Sequence, residues 1–127
     1  MKRTAMICDD SPLFRKDMRH FLHEAGFQRV LEASDGYEAA ALFKQEHPDV
    51  VFMDIIMPKL DGISALKKIA PHKGSAYIIM TSSCSEKSHL RRALHLGADT
   101  FIQKPLQQEK TTEVLHQAPC FQSVQLQ

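Results

Sequence analysis

Val50-Val51-Phe52-Met53-Asp54 carries four apolar residues, two of them β-branched, straight into a single carboxylate. A short continuous apolar run of this kind reads as a strand buried on both faces, as in a parallel sheet covered by helices. The residues that follow, Ile55-Ile56-Met57-Pro58-Lys59-Leu60-Asp61-Gly62, hold a proline and an Asp-Gly pair. Both are turn signals, so the strand ends at or just after Asp54. An acid at the carboxyl end of a central parallel strand stands where open α/β sheets place their chemistry. A loop or N-cap aspartate would look the same in isolation, so the surrounding chain decides.

Upstream, Thr4 to Cys8 is a first apolar strand, closed by Asp9-Asp10. Ser11-Pro12 offers an N-cap with proline at the first helical position. Leu13, Phe14, Met18, Phe21, Leu22 and Ala25 recur at steps of three and four, which predicts an amphipathic helix ended by Gly26. Val30 to Ala33 is the second strand, with Asp35-Gly36 as its turn. Tyr37, Ala40, Ala41 and Leu42 carry a second helix to Glu46. His47-Pro48 stops it, because the residue before proline is pushed out of the helical region.

Asp49 to Met53 is the third strand. Downstream, a third helix spans Ile63 to Ile69 and is closed by Pro71 and Gly74. Tyr77 to Met80 is the fourth strand and Ser82 to Ser85 a polar loop. Leu90, Ala93, Leu94 and Leu96 mark a fourth helix ended at Gly97, and Thr100 to Ile102 is the fifth strand. A last helix follows Lys104-Pro105 and runs to Gln117, with Pro119 terminating it. Five strands alternating with five helices predict an α/β fold, a doubly wound parallel sheet with right-handed crossovers. The domain is expected over residues 1–118, with 119–127 as a C-terminal tail. Phe121 to Gln127 carry no charged side chain and read as frayed.

At 127 residues the chain makes one domain able to bury about two-thirds of its unfolded surface. A net charge of +1 gives no general attraction to nucleic acid or acidic membranes. No apolar run approaches the roughly 20 residues that span a bilayer. Met1-Lys2-Arg3 resembles the start of a signal peptide, but the apolar stretch Ala5 to Cys8 is too short for its core and ends in two acids. Cys8, Cys84 and Cys120 are odd in number and lack CxxC spacing, which predicts reduced thiols in a cytoplasmic protein.

In such a sheet every strand delivers its carboxyl end to one edge. Asp9 and Asp10 close the first strand and Asp54 the third. Thr81 and Ser82 close the fourth, and Lys104 follows the fifth. Three carboxylates, a hydroxyl and an ammonium therefore converge. Clustered carboxylates repel one another and call for a cation. Oxygen donors of this kind suit Mg²⁺. Lys104 could equally form a plain salt bridge with Asp54.

Taken in order, Asp9-Asp10-Ser11, Asp54, Met57-Pro58-x-x-Asp61-Gly62 and Gly97-Ala98-x-x-Phe101-Ile102-x-Lys104-Pro105 resemble the receiver domains of two-component response regulators, over residues 4 to 116. Within these the chain is similar to the single-domain chemotaxis (CheY-like) type. The resemblance implies a flavodoxin-like (βα)5 fold with strand order 2-1-3-4-5. It implies that Asp54 is the phosphoacceptor, taking a phosphoryl group from a sensor histidine kinase or a histidine phosphotransfer protein. Asp10 and Asp54 would bind Mg²⁺ directly, Asp9 through water, and the Ile56 backbone carbonyl would complete the protein ligands. Lys104 would pair with phosphoryl oxygens. Ser82 is assigned as the site hydroxyl, because it lies 28 residues after Asp54 and 22 before Lys104, the family spacing. Thr81 is the alternative, at an offset of one on both sides. Phe101 matches the family's aromatic switch, against the alternative of a core residue.

The output implied is a changed contact with a downstream protein, on the face made by the fourth helix, fifth strand and fifth helix. No direct nucleic-acid contact and no membrane insertion are expected, and the length leaves no room for a DNA-binding output domain. The chain is expected not to be a turnover enzyme, only to accept phosphate and lose it slowly. Ile56 and Cys84, two after the phosphoacceptor and two after Ser82, offer no strong group to orient water.

The other features read as ordinary surface. His20, His23 and Glu24 do not make an HExxH motif. Lys87, Arg91, Arg92 and His95 make the fourth helix basic, as a solvated face or a partner surface. A haloacid-dehalogenase-type hydrolase would need an acid where Ile56 stands. A flavin module would need a phosphate-cradling loop where Asp9-Asp10 would repel it. A docking module independent of phosphorylation would leave the full acidic, hydroxyl and lysine set without a use.

Overall fold

The apolar run is strand β3 (Val50–Asp54), all five residues buried, at the centre of the sheet. The structure is a computed structural model and describes residues 3–83 and 87–121. Around β3 lie β1 (Thr4–Cys8), β2 (Arg29–Ala33), β4 (Tyr77–Ser82) and β5 (Thr100–Gln103), all parallel, in the order β2-β1-β3-β4-β5. This is the doubly wound, flavodoxin-like sheet that the alternation of elements predicts.

The helices are α1 (Pro12–Glu24), α2 (Gly36–Glu46), α3 (Gly62–Ile69), α4 (Lys87–Leu96) and α5 (Gln108–Leu115), with a short 3₁₀ turn at Ala70–His72. Alternation along each strand divides the core into two layers. Met6, Val51, Met53, Ile78 and Met80 face the α2, α3 and α4 side with Phe43, Leu66 and Ile69. Ala5, Ile7, Val50, Phe52 and Ile79 face the α1 and α5 side with Leu22, Val114 and Leu115. Burial on both faces is why these strands read as unbroken apolar runs rather than as alternation.

Helix starts follow local chemistry. Ser11, Asp35 and Asp61 accept hydrogen bonds from Phe14 N (3.2 Å), Glu38 N (2.9 Å) and Ser64 N (2.8 Å). The aspartates of the two Asp-Gly pairs are therefore N-caps as well as turn residues. His47 leaves the helical region as expected, into a left-handed conformation with φ 47° rather than an extended one. The Glu32 carboxylate on β2 takes Arg15 Nε at 2.9 Å and Arg19 Nη2 at 2.7 Å, tying α1 to the sheet edge.

Several expectations need correction. β3 begins at Val50 and includes Asp54, β4 runs on through Ser82 rather than leaving it to the loop, and α5 stops at Leu115 rather than Gln117. Pro119 does not simply end a helix. It opens a further helical turn that reaches Phe121, whose N–H bonds Ala118 O at 2.9 Å. Phe121 is not frayed: its ring packs edge-on to Phe27 at 5.7 Å, with the Arg3 guanidinium 4.5 Å from its centroid. Residues 122–127 of the expected tail lie outside the described residues.

Candidate functional site

β1 and β3 run side by side and stop together, so Asp9, Asp10 and Asp54 arrive at one edge of the sheet. Their carboxylate oxygens lie within 4.8 Å of one another, with Asp9 and Asp54 buried and Asp10 exposed. Among the described residues no other group of three or more His, Cys, Asp or Glu is so placed. All the donors are hard oxygens, and one member of the cluster opens to solvent. That is the donor set a hydrated Mg²⁺ takes.

Lys104 follows β5 and reaches back across the edge. Its Nζ stands 2.6 Å from Asp9 Oδ2 and 3.2 Å from Asp54 Oδ2. The salt bridge foreseen with Asp54 is thus present, and the closer partner is Asp9. The ammonium also lies 4.3 Å from the centre of the Phe14 ring, which shields it from one side. Burial alone would lower the lysine's pKa, but the bond from Asp9 and the two carboxylate charges outweigh it and raise it, so Lys104 stays charged. For Asp54 burial is the larger influence. It pushes the carboxyl above its ordinary value against the pull of Lys104.

Several positioning contacts were not legible beforehand. Ser11 N–H donates to Asp9 Oδ1 at 2.9 Å, and Arg15 Nη1 donates to the Asp9 carbonyl at 2.6 Å. Ile56 N–H donates to Asp54 Oδ1 at 3.3 Å. The Ser11-Pro12 cap signal hinted at the first. The periodic pattern places Phe14 on the first helix but does not mark its contact with Lys104, and nothing in it marks Arg15.

Both candidate hydroxyls are buried at the end of β4, Thr81 to 1% exposure and Ser82 to 5%. The register sets Asp54 opposite Thr81. Ser82 lies one step nearer the site edge, where its carbonyl accepts Lys104 N–H at 2.7 Å. Thr81 Oγ1 has no hydrogen-bond partner among the described residues. A buried hydroxyl left unsatisfied is unfavourable by about 1–3 kcal/mol, and an apolar group of the same shape removes that penalty. Thr81→Val is therefore expected to raise stability, by about 1 kcal/mol, in urea denaturation. A loss of that size would show that the hydroxyl has a partner.

Phe101 is 41% exposed, so it is not the core residue of the alternative reading. The Ile56 side chain projects into solvent at 62% exposure, beside Asp54 rather than over the core. Cys84, the loop Ser85 and the side chain of Lys87 lie outside what the structure describes. His20 pairs with Glu24 at 2.9 Å within α1, and His23 Nδ1 bonds the Phe27 carbonyl at 2.9 Å just past the end of that helix. Burial pushes the Cys8 thiol far up, which leaves it inert despite its place next to Asp9. No helix among the described residues is long and apolar enough to cross a membrane.

Residues 5–116 match the response regulator receiver domain family. The chain belongs to that family. The chemotaxis protein CheY of Bacillus subtilis (strain 168) is 38% identical to this receiver domain over 116 residues, 91% of this chain and 97% of that one. CheY of Halobacterium salinarum is 36% identical over 115 residues, 91% and 95% of the two chains. Among solved structures, CheY of Borrelia burgdorferi, in a complex with CheX, BeF₃ and Mg²⁺, superposes with a TM-score of 0.85 at 33% identity, covering 91% of this chain and 87% of that one. The response regulator domain of Thermotoga maritima CheB gives 0.80 at 31% identity, covering 93% and 96%. This is therefore a receiver domain of the CheY type, a class that works in phosphorylation-dependent two-component signalling, generally depends on Mg²⁺, and interacts with kinases and downstream targets.

Proposed function

We propose that Asp54 accepts a phosphoryl group from the phosphohistidine of a sensor histidine kinase or phosphotransfer protein, and that the phosphorylated domain changes its contacts with a downstream protein across α4, β5 and α5. One observation carries the reading: Asp54 stands beside an ammonium and two further carboxylates at the sheet edge. An Asp54 carboxylate oxygen attacks phosphorus, the new O–P bond forms, and the N–P bond to the donor imidazole breaks. The imidazole leaves with the electron pair and takes a proton. The buried, raised-pKa carboxylate is poorly solvated and so little hindered by its own water shell.

Lys104 neutralises one phosphoryl oxygen as it loses hold of Asp54, while its bond to Asp9 keeps it in place. Ser82 supplies the hydroxyl that bonds another phosphoryl oxygen, and Phe101 turns from its exposed position as that loop closes. Asp10 and Asp54 would hold Mg²⁺ directly, with Asp9 through water and the Ile56 carbonyl alongside. When bound, the ion disperses charge on the transferring group. The domain is not a turnover enzyme, and a cytoplasmic setting suits both donor and target.

Asp10→Ala tests the metal set. It should abolish Mg²⁺ binding near neutral pH, read by calorimetry, and suppress labelling by acetyl phosphate. Unchanged Mg²⁺ affinity would count decisively against the assignment.

Loss of the phosphoryl group needs a water in line with phosphorus. Ile56 presents only an apolar side chain beside Asp54, so nothing at that position orients the water. Self-dephosphorylation is accordingly slow. Ile56→Asn combined with Cys84→Glu should speed it by at least about tenfold, roughly 1.4 kcal/mol of barrier. Decay of the labelled protein after donor removal reads the rate, and an unchanged half-life would show that water access is not limiting.

A further inference from the structure

Several cations on this protein pair with acids. Arg15 and Arg19 hold Glu32, Arg29 holds Glu46, Lys73 holds Asp99, and Lys104 holds Asp9 and Asp54. α3 and α4 carry further cations, of which Lys67 and Arg92 line the space between the two helices. Lys67 and Lys68 end α3, and Arg91 and Arg92 lie on α4. All four are exposed, and none makes an ion pair with a described residue. Asp61 also lines the space between the two helices and brings one exposed carboxylate to it, engaged as the N-cap of α3 through Ser64 N and Oγ.

Between these helices lies a cavity of about 290 Å³. Ile55, Ile56 and Ile63 give it an apolar part, and Lys67, His89 and Arg92 a basic one. With a net charge of only +1 for the whole chain, this is a local concentration and not a general basicity. Exposed cations alone bind weakly, because water and salt screen each pair. The exposed Ile56 adds what charge cannot, an apolar surface that is stabilised when a partner covers it. A free inorganic anion would use only the charges. A nucleic-acid strand would find a single aromatic ring, the His89 imidazole, on which to stack a base, and would bring its phosphates against the Asp61 carboxylate.

We infer that the α3–α4 groove is a docking site for an acidic amphipathic segment of a partner protein, which sets an apolar side chain on Ile56 and Ile63 and carboxylates against Lys67 and Arg92. This contact face shares α4 with the α4–β5–α5 face but opens on the α3 side of that helix, and it does not depend on the phosphorylation reading.

The test is an NMR titration of the full chain, unphosphorylated, with a synthetic peptide that carries Leu and Glu at helical spacing. Its glutamine counterpart, a single-stranded DNA oligonucleotide and inorganic phosphate are the other arms. Saturable shifts centred on Ile56, Ile63, Lys67 and Arg92 are expected for the acidic peptide. Affinity should fall at least about tenfold for the glutamine peptide and for Lys67→Glu with Arg92→Glu. Lys67→Gln should weaken it less, and labelling of that variant by acetyl phosphate should persist, which shows that it is folded. Shifts centred elsewhere, equal affinity of the glutamine peptide, indifference to charge reversal, or tighter binding of the oligonucleotide or phosphate at these residues would each overturn the inference.

Discussion

Asp54→Asn is expected to lose acetyl phosphate labelling entirely while keeping the fold. The change is nearly isosteric, but the amide has no anionic oxygen to attack phosphorus, and no other group at the edge can replace it. Asp9 is held by Lys104, Ser11 N–H and, at its carbonyl, Arg15. Asp10 is exposed, and Lys104 pairs with Asp9 and Asp54 rather than with it. Stability should not suffer. Burial already disfavours the ionised Asp54 carboxylate, and Lys104 keeps its shorter bond to Asp9 when Asp54 is neutralised. Intact mass after incubation with acetyl phosphate and Mg²⁺ should show one added phosphoryl group on the parent and none on the variant. The thermal midpoint of the variant should equal or exceed that of the parent. Equal labelling of the two proteins would remove Asp54 from the mechanism and with it the proposed function.

The edge was legible because its residues are encoded by position. Asp9, Asp10, Asp54 and Lys104 each follow an apolar run, and a parallel sheet sends every such position to one side. What was not legible depends on side-chain reach. Lys104 could be placed at the edge, but its preference for Asp9 over Asp54 is set by rotamers and by the seat of Phe14 beneath the ammonium. Thr81 and Ser82 are adjacent hydroxyls on a strand, so one-dimensional spacing separates them by a single count. The register sets Thr81 opposite Asp54 and leaves its Oγ1 without a partner.

At the chain's end, Pro119 carried two meanings. Proline stops a helix, but it also suits the first turn of a new one, and the structure uses the second. Phe121 read as frayed because its neighbours in sequence offer no periodic pattern. Its partners, Phe27 and Arg3, are distant in sequence. The groove between α3 and α4 was half visible as a basic fourth helix. Its other half, the exposed Ile56 beside Lys67, needed the packing of α3 against α4.

Gly62→Ala should cause the largest loss of stability of any single methyl addition in this chain apart from Gly36→Ala. Gly62 opens α3 immediately under the site, and its N–H donates to Ile55 O at 2.7 Å. A Cβ there would stand 2.0 Å from Asp54 O, 2.9 Å from Asp54 C and 3.0 Å from Ile55 Cα. All three are backbone atoms, so no side chain can swing aside. Either α3 moves away from β3 or the β3 terminus moves, and the second option displaces the phosphoacceptor. Alanine's better helix propensity returns about 1 kcal/mol at most. The clash with a buried backbone belongs among the few substitutions that lose about 4 kcal/mol or more, a large part of the roughly 5–15 kcal/mol that holds a domain of this size. Gly36 faces the same limit, since its Cβ would meet Leu60 O at 2.3 Å. Gly74→Ala is the control. No atom lies within 4 Å of its Cβ, so only the strain of φ +55° remains, roughly 1 kcal/mol. Urea denaturation of the three variants should therefore rank Gly62→Ala and Gly36→Ala far below Gly74→Ala. In the Gly62 variant, labelling at Asp54 should fall even at temperatures where the protein is still folded, because the strand end that carries the carboxylate has shifted. A Gly62→Ala protein within about 1 kcal/mol of the parent and labelled at the parental rate would mean that the β3–α3 turn opens freely.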